Sequence, residues 1–270
     1  MSNFTKRQEN LIISKYQSGL STCKLEKEFK CSDWRILDVL KEYNIPRRSR
    51  REINKKYIVK SNYFSQINSH EKAYILGLLM TDGYNRESHG YVHFGLQESD
   101  KYIVEYVNSC LHINNRPVYL KKQIKGYKKH FYTFITDKQI SKDLAKLGCV
   151  QKKSLILRFS PNLPRKYINS YILGCFDGDG CIFLKKTKRR TQRQFYICSG
   201  SVKFCQDIQE KIKEQLGILG KIRTRTNTKT KNLISYITFT KINDLLILKN
   251  WLYKNQEIYL KRKKEIFDRL

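Results

Sequence analysis

The sequence predicts an α+β fold in which two copies of one α/β module follow a small helical domain. Two observations lead there. The stretches Tyr74-Ile75-Leu76-Gly77-Leu78-Leu79-Met80-Thr81-Asp82-Gly83 and Tyr171-Ile172-Leu173-Gly174-Cys175-Phe176-Asp177-Gly178-Asp179-Gly180 match at Tyr, Ile, Leu, Gly, the late Asp and the final Gly, 97 residues apart. Repetition of this kind sets the architecture before any local pattern does. After each stretch the hydrophobic period then runs through the same order: helix, two strands, helix, two strands, helix.

Residues 1–50 come first. Thr5 to Ser18 reads as a helix with apolar Leu11, Ile12 and Tyr16, broken by Gly19. Ser21 suits the N-cap of a second helix through Phe29, and Ser32 or Asp33 that of a third reaching about Tyr43, with Ile36, Leu37, Val39 and Leu40 apolar. Asn44-Ile45-Pro46 ends it, and Arg47-Arg48-Ser49-Arg50-Arg51 follows. Three short helices with a basic tail fit a helix-turn-helix unit whose recognition helix presents Trp34 and Arg35 near its N-terminal end. An ordinary small helical domain fits the same pattern.

Residues 51–67 read as a basic linker. The first module, residues 68–160, opens with a capping-box-like Asn68 and Glu71 ahead of the first repeat helix. Beyond Gly83, Val92, Phe94 and Leu96 share one strand face, with Tyr91, His93 and Gly95 on the other. Asp100 to Leu111 is helical. Arg116 to Lys125 and Tyr127 to Ile135 form a hairpin, with Tyr119, Lys121, Gln123 and Lys125 on one face and Val118, Leu120 and Ile124 on the other. Asp137 to Leu147 is a helix stopped by Gly148. The connection from Cys149 to Lys166 carries Lys152, Lys153 and Arg158, and its prolines, Pro161 and Pro164, exclude a continuous helix.

The second module, residues 161–270, repeats the order. Cys181 to Lys186 and Phe195 to Cys198 are strands around a basic tip of Lys185, Lys186, Arg189 and Arg190. Val202 to Leu216 is a helix, Lys221 to Asn227 and Leu233 to Phe239 a hairpin, Asp244 to Tyr253 a helix, and Ile258 to Leu270 a last helix. On the first strand of that hairpin Lys221, Arg223, Arg225 and Asn227 share a face. Residues 184–193 and 221–231 contain no acid, whereas a merely solvated face mixes both signs. A sheet that is apolar behind and basic in front packs helices on one side and lies on DNA with the other.

Composition agrees. Fifty-four basic and 24 acidic residues leave a formal charge of +30, while 40% hydrophobic residues are enough for packed cores. Such an excess calls for a polyanion, nucleic acid before an anionic membrane. No apolar run approaches the roughly 20 residues that span a bilayer, which predicts an intracellular protein with access to DNA and no membrane partner. The eight cysteines form no C-x-x-C pair and read as reduced, mostly buried small residues.

The repeats carry the chemistry. A helical glycine costs about 1 kcal/mol relative to Ala. Gly77 and Gly174 at matching places therefore predict two helices in close contact, which brings Asp82 and Asp179 together at their ends. Two carboxylates at helix C-termini are opposed by the macrodipole and by each other. A divalent cation, Mg²⁺ or Mn²⁺, relieves both costs and suits phosphodiester hydrolysis, by in-line attack of a water that the cation activates.

Ile75 to Gly83 and Ile172 to Gly180 resemble the motifs of the LAGLIDADG homing endonucleases, in the form with both copies in one chain. The resemblance covers residues 68–270 and implies αββαββα modules with saddle-shaped sheets over the major groove. It also implies a monomer with internal pseudo-two-fold symmetry, and site-specific cleavage of double-stranded DNA to short 3′ overhangs, in the service of intron homing by a mobile element. Asp82 and Asp179 map onto the metal-binding acids, and Thr81 and Gly178 onto the carbonyls that assist them. Lys153, and either Lys261 or Lys263, map onto a basic residue after the last helix of each module. Residues 1–50 resemble the helix-turn-helix modules appended to some such enzymes. Met80 and Thr81 depart from the family pattern: Thr81 stands where Ala or Gly is usual, which implies a looser helix crossing and a weaker Asp82 side. The alternative reading is a non-cleaving binder on the same scaffold, an RNA-splicing maturase bound to intron RNA or a transcriptional regulator.

Overall fold

The computed structural model describes residues 4–48, 57–114, 116–121, 126, 128–188, 191–226, 228 and 231–270. The chain divides into two compact units, Met1–Ile58 and Val59–Leu270.

The first unit is three helices, α1 (Lys6–Gln17), α2 (Thr22–Phe29) and α3 (Asp33–Glu42). Thr5 and Gln8 close a capping box on α1, and the Ser21 side chain accepts from the Lys24 amide on α2. Ile12, Tyr16, Leu25, Ile36, Val39 and Leu40 form the core. Of the apolar residues noted on these helices, Leu11 is 46% exposed and Leu37 lies only at the rim. A three-helix core this small has room for a single apolar stripe per helix.

The second unit holds both modules around one continuous hydrophobic core. The first is α4 (His70–Thr81), β1 (Tyr84–Arg86), β2 (Tyr91–Gln97), α5 (Lys101–Leu111), β3 (Tyr119–Leu120), β4 (His130–Thr136) and α6 (Lys138–Lys146). The second is α7 (Ile168–Asp179), β5 (Gly180–Lys186), β6 (Thr191–Ser199), α8 (Val202–Leu216), β7 (Lys221–Thr226), β8 (Leu233–Phe239), α9 (Ile242–Leu252) and α10 (Lys261–Asp268). Each module carries a four-stranded antiparallel sheet, in the orders β1-β2-β4-β3 and β5-β6-β8-β7. The predicted α+β repeat is therefore present strand for strand.

Three local expectations are corrected. The N-cap of α4 is Ser69, whose hydroxyl accepts from the Lys72 amide at 3.1 Å, so Asn68 and Glu71 make no capping box. Glu71 instead accepts from the hydroxyls of Tyr63 and Tyr106. Of the hairpin strand expected over 116–125, Tyr119–Leu120 pairs with β4 and the Lys121 amide donates to the His130 carbonyl, while residues 122–125 lie outside the described residues; Leu120, on the face expected to be apolar, is 48% exposed because β3 is a sheet edge beyond the helical cover. The last helix begins at Lys261 rather than Ile258: the Leu260 amide, at its N-cap, is taken by the Asp177 carboxylate at 2.8 Å.

The inner faces of both sheets, among them Val92, Phe94 and Ile135 in one and Ile182, Phe195, Ile197 and Ile237 in the other, pack into the common core with α4 and α7. α4 is buried from Ala73 to Met80 and α7 from Ile168 to Asp177. Their crossing is backbone on backbone. A methyl added at Gly77 would overlap the Tyr171 carbonyl oxygen and stand 2.9 Å from the Cys175 nitrogen. One added at Gly174 would overlap the Tyr74 carbonyl oxygen and stand 2.9 Å from the Leu78 nitrogen. The two glycines are reciprocal across a pseudo-two-fold axis. Among the described residues no helix is long and apolar enough to cross a membrane.

Candidate functional site

The glycine contact brings the two helix ends together. Asp82 is the C-cap of α4, its amide donating to the Leu78 carbonyl at 2.9 Å, and Asp179 is the last residue of α7. Gly178 lies so close to α4 that a methyl there would overlap Thr81 and stand 2.9 Å from Asp82 Oδ2. This corrects the expectation of a looser crossing. Thr81 turns its hydroxyl back onto the Gly77 and Leu78 carbonyls, at 3.2 and 3.0 Å, and the missing side chain of Gly178 gives it room.

Both carboxylates reach solvent, and among the described residues no hydrogen bond or ion pair engages either side chain. The protein mass packed around them still strips water and pushes both pKa values up. Asp82 rises to about 6, first through desolvation and then through the charge of Asp179, with Lys263, Lys153 and Arg262 pulling it back. Asp179 rises through desolvation and is pulled back by Lys263 and Lys153.

The two lysines are arranged as a pair. Lys153 is buried and donates to the Gly83 carbonyl. Lys263, also buried, donates to the Gly180 carbonyl at 2.6 Å and to those of Phe176 and Asp177 at 2.5 and 2.8 Å. Gly83 and Gly180 occupy the same place in the two repeats, so each acid is followed by a glycine whose carbonyl a buried ammonium holds. Desolvation lowers the Lys263 pKa to about 8. Lys261 is not at the site: it is exposed, with its ammonium 5.3 Å from the Tyr102 ring centroid.

Asp177, which sequence reasoning passed over, is the third carboxylate at this end of α7. It is 1% exposed and accepts from the Tyr74 hydroxyl and the Leu260 amide, both at 2.8 Å, and its pKa is pushed up to about 6 by burial. It ties α4, α7 and the start of α10 into one node and so fixes where Lys263 sits. The available signal was its place in Asp-Gly-Asp-Gly, opposite Met80 in the other repeat.

Asp82 and Asp179 offer hard oxygen donors here, and the Cys198 thiol beside them is engaged with the Asp179 carbonyl at 3.0 Å. The Thr81 and Gly178 carbonyls stand in the last helical turns, where no i+4 helical amide remains to take them. Among the described residues no group of three or more His, Cys, Asp or Glu could hold a metal by itself. Two carboxylates and two carbonyls fit Mg²⁺, which keeps waters and phosphate oxygens in its shell, and do not fit a closed structural zinc site.

The other candidates fall in several places. Lys221, Arg223 and Arg225 alternate onto the outer face of β7, all exposed, with the Arg225 guanidinium 4.9 Å from the Tyr236 ring. Lys185 shares that outer face through its pairing with Gln192, and Lys186 alternates to the opposite one. Tyr119 and Lys121 lie at the β3 edge of the first sheet. Gln123, Lys125, Arg189 and Arg190 lie outside the described residues. In the helical unit Trp34 is 57% exposed, with Arg35 5.9 Å from its ring, and Arg47 is exposed. Arg48 is committed to the fold: its guanidinium lies 4.1 Å from the Tyr16 ring and donates to the Leu20 carbonyl. All eight cysteines are free, but only Cys110, Cys149, Cys175 and Cys205 are buried, which corrects the expectation that most would be.

Comparison with known proteins bears on the second module. Residues 166–257, about a third of the chain, match the family model described as LAGLIDADG-like domain. No curated protein sequence matches the chain. Similar solved structures include the I-LtrWI LAGLIDADG homing endonuclease bound to target DNA, at 14% identity and TM-score 0.47, with 77% of this chain and 91% of that one covered. The homing endonuclease I-WcaI bound to its DNA recognition sequence is similar at 14% identity and TM-score 0.48, covering 75% and 90%. Full-length DUF199/WhiA from Thermatoga maritima is similar at 14% identity and TM-score 0.44, covering 78% and 64%. Residues 166–257 of the second module match a LAGLIDADG-like domain, and the first module repeats the second's motif, sheet order and lysine-held glycine.

Proposed function

We propose that this chain is a site-specific endonuclease of double-stranded DNA that works with a divalent cation. The observation that carries the reading is the meeting of Asp82 and Asp179 at two packed helix ends, without a protein partner among the described residues, in a chain of net charge +30. A pure binder of polyanions gains nothing from two desolvated, mutually repelling acids placed among its cations.

Each group has a role. The carboxylates of Asp82 and Asp179, with the Thr81 and Gly178 carbonyls, would hold Mg²⁺ or Mn²⁺. The cation, when bound, supplies activation of water and stabilisation of the leaving 3′-oxygen. Lys153 and Lys263 hold the Gly83 and Gly180 carbonyls and so fix the backbone just beyond each acid. From there their positive charge would act on negative charge developing at a phosphate held by the acids. Lys185, Lys221, Arg223 and Arg225 engage the duplex through phosphates and base edges. The pseudo-two-fold axis assigns one acid to each antiparallel strand, leaving short 3′ overhangs, the product that serves homing of a mobile intron.

The test is Mg²⁺-dependent cleavage of a randomised duplex library with sequenced ends. Asp82→Asn and Asp179→Asn should each leave a nicking enzyme or an inactive one that still binds DNA. A double Asn variant that cuts a selected site as well as the parent would sink the assignment. A parent chain that binds a selected duplex and never cuts it is a regulator or a maturase instead.

A further inference from the structure

The first sheet is fastened at its β3 edge by a side chain. The register pairs Tyr119 with Tyr132 and Leu120 with Phe131, and continued by two residues it sets Pro117 across from Phe134. Proline has no amide to donate. The Phe134 carbonyl accepts instead from the Arg116 guanidinium, whose central carbon lies 4.0 Å from the Phe134 ring centroid.

The same guanidinium nitrogen has a second neighbour. Arg116 Nη1 stands 3.2 Å from His112 Nε2. A guanidinium can only donate, so Nε2 accepts, and the His112 ring is neutral with its proton on Nδ1. The other ring nitrogen agrees: Nδ1 lies 2.9 Å from the Asn108 carbonyl, which can only accept. His112 is 3% exposed at the C-cap of α5, its backbone bridged to Val59. Asn108 completes the joint. Its amide donates to the Arg116 carbonyl at 2.6 Å, and its side-chain oxygen accepts from the Thr133 hydroxyl of β4, also at 2.6 Å. Helix α5, the approach to β3 and strand β4 thus meet in one network that requires a neutral imidazole.

A second proton on His112 has no acceptor to meet. Nε2–H would point at an Arg116 donor, and the charged groups that act on the ring, Arg116 and, from the segment ahead of α4, Lys60, are both cations. Burial, and then those charges, hold the imidazole below its usual pKa against the pull of the Asn108 carbonyl. In the second module Gly217 stands at the corresponding C-cap, that of α8, so the β7 edge is an internal control.

We propose that His112 is a pH-sensitive latch on the first sheet. Neutral, it holds Arg116 on the Phe134 carbonyl and keeps the β3 edge attached; protonated, it displaces Arg116 and frees the edge that carries Tyr119 and Lys121. The sign follows from linkage. A base whose folded pKa lies below its unfolded value stabilises the closed joint fully above the unfolded value, and that stabilisation is lost as pH falls through the folded one. The inference does not depend on what the sheet binds.

The experiment is amide hydrogen exchange of the full chain, corrected for the intrinsic rate at each pH. In the parent, protection of residues 118–121 should fall about tenfold or more between about pH 7.5 and pH 5, the loss of one hydrogen bond from a charged donor. Residues 221–226 of the second sheet should keep theirs. His112→Gln offers Arg116 an acceptor that takes no proton and should hold protection at both pH values. Arg116→Met should leave residues 118–121 as open at the higher pH as the parent is at the lower. His93 and His130 titrate on the same sheet and stay in place in both variants, so a loss that persists in His112→Gln belongs to them and overturns the latch. An arm that needs no variant is NMR titration of the parent, where the His112 ring and the amides of residues 118–121 should share one midpoint. Unchanged protection of that segment in the parent, a loss shared equally by both sheets, or separate midpoints would also overturn it.

Discussion

Tyr74 and Tyr171 occupy the same place in the two repeats and meet opposite fates. Tyr74 donates to the Asp177 carboxylate at 2.8 Å, while among the described residues the buried Tyr171 hydroxyl makes no hydrogen bond of normal geometry, with the Ser160 amide and the Cys175 thiol nearby. Met80 stands where an acid would have met it. Tyr74→Phe should therefore cost about 1.5–3 kcal/mol, the range for a bond to a charged buried group, whereas Tyr171→Phe should be neutral to stabilising. Urea unfolding of the two variants measures this, and equal losses would show that both hydroxyls are satisfied. Asp82 and Asp179 were legible in the sequence because repetition singled them out. Asp177 was not, since its partners come from α4 and from a segment 83 residues later, beyond the reach of any local pattern.

At the scale of elements, periodicity found both sheets and their helices because their inner faces are continuous apolar rows. It misplaced the start of α10, where a tertiary carboxylate rather than a local cap takes the N-cap amide. That start decides which lysine is at the site: two positions on a helix are about 200° apart, so Lys263 can face Phe176 only if Lys261 faces away. Lys263→Met, which leaves three buried carbonyls without their donor, should cost about 3 kcal/mol, and Lys261→Ala less than about 0.5 kcal/mol. The helix crossing yields a sign test. In an open helix Gly→Ala gains about 1 kcal/mol. At Gly77 or Gly174 the added methyl would overlap backbone of the facing helix, which cannot rotate aside, so each substitution should lower the melting temperature by several degrees. A neutral or stabilising result at either position would mean that the helices do not cross there.

For the whole molecule, the charge excess and the acid pair are two parts of one balance. Cations attract the polyanion, and the two acids, alone among them, can recruit a counter-ion of their own. The raised pKa values fix how this depends on pH. A carboxylate whose pKa is higher folded than unfolded favours the folded state when protonated, and that advantage is lost as pH rises through the folded value, about 6 for Asp82. Without a divalent cation, the parent should therefore lose stability between about pH 4 and pH 7 relative to Asp82→Asn. Solvent reaches the group, so the difference should be only about 1 kcal/mol. Mg²⁺ binds the ionised pair and competes with the same protons, so its stabilisation should appear above about pH 6 and vanish below about pH 5. At a concentration a hundred times its dissociation constant it should be worth about 2.7 kcal/mol. Thermal melts of the parent and of the double Asn variant, with and without Mg²⁺ across that range, test the pair directly and require no DNA. A Mg²⁺ effect that survives in the double Asn variant, or that is as large at pH 5 as at pH 8, would place the cation somewhere other than between Asp82 and Asp179.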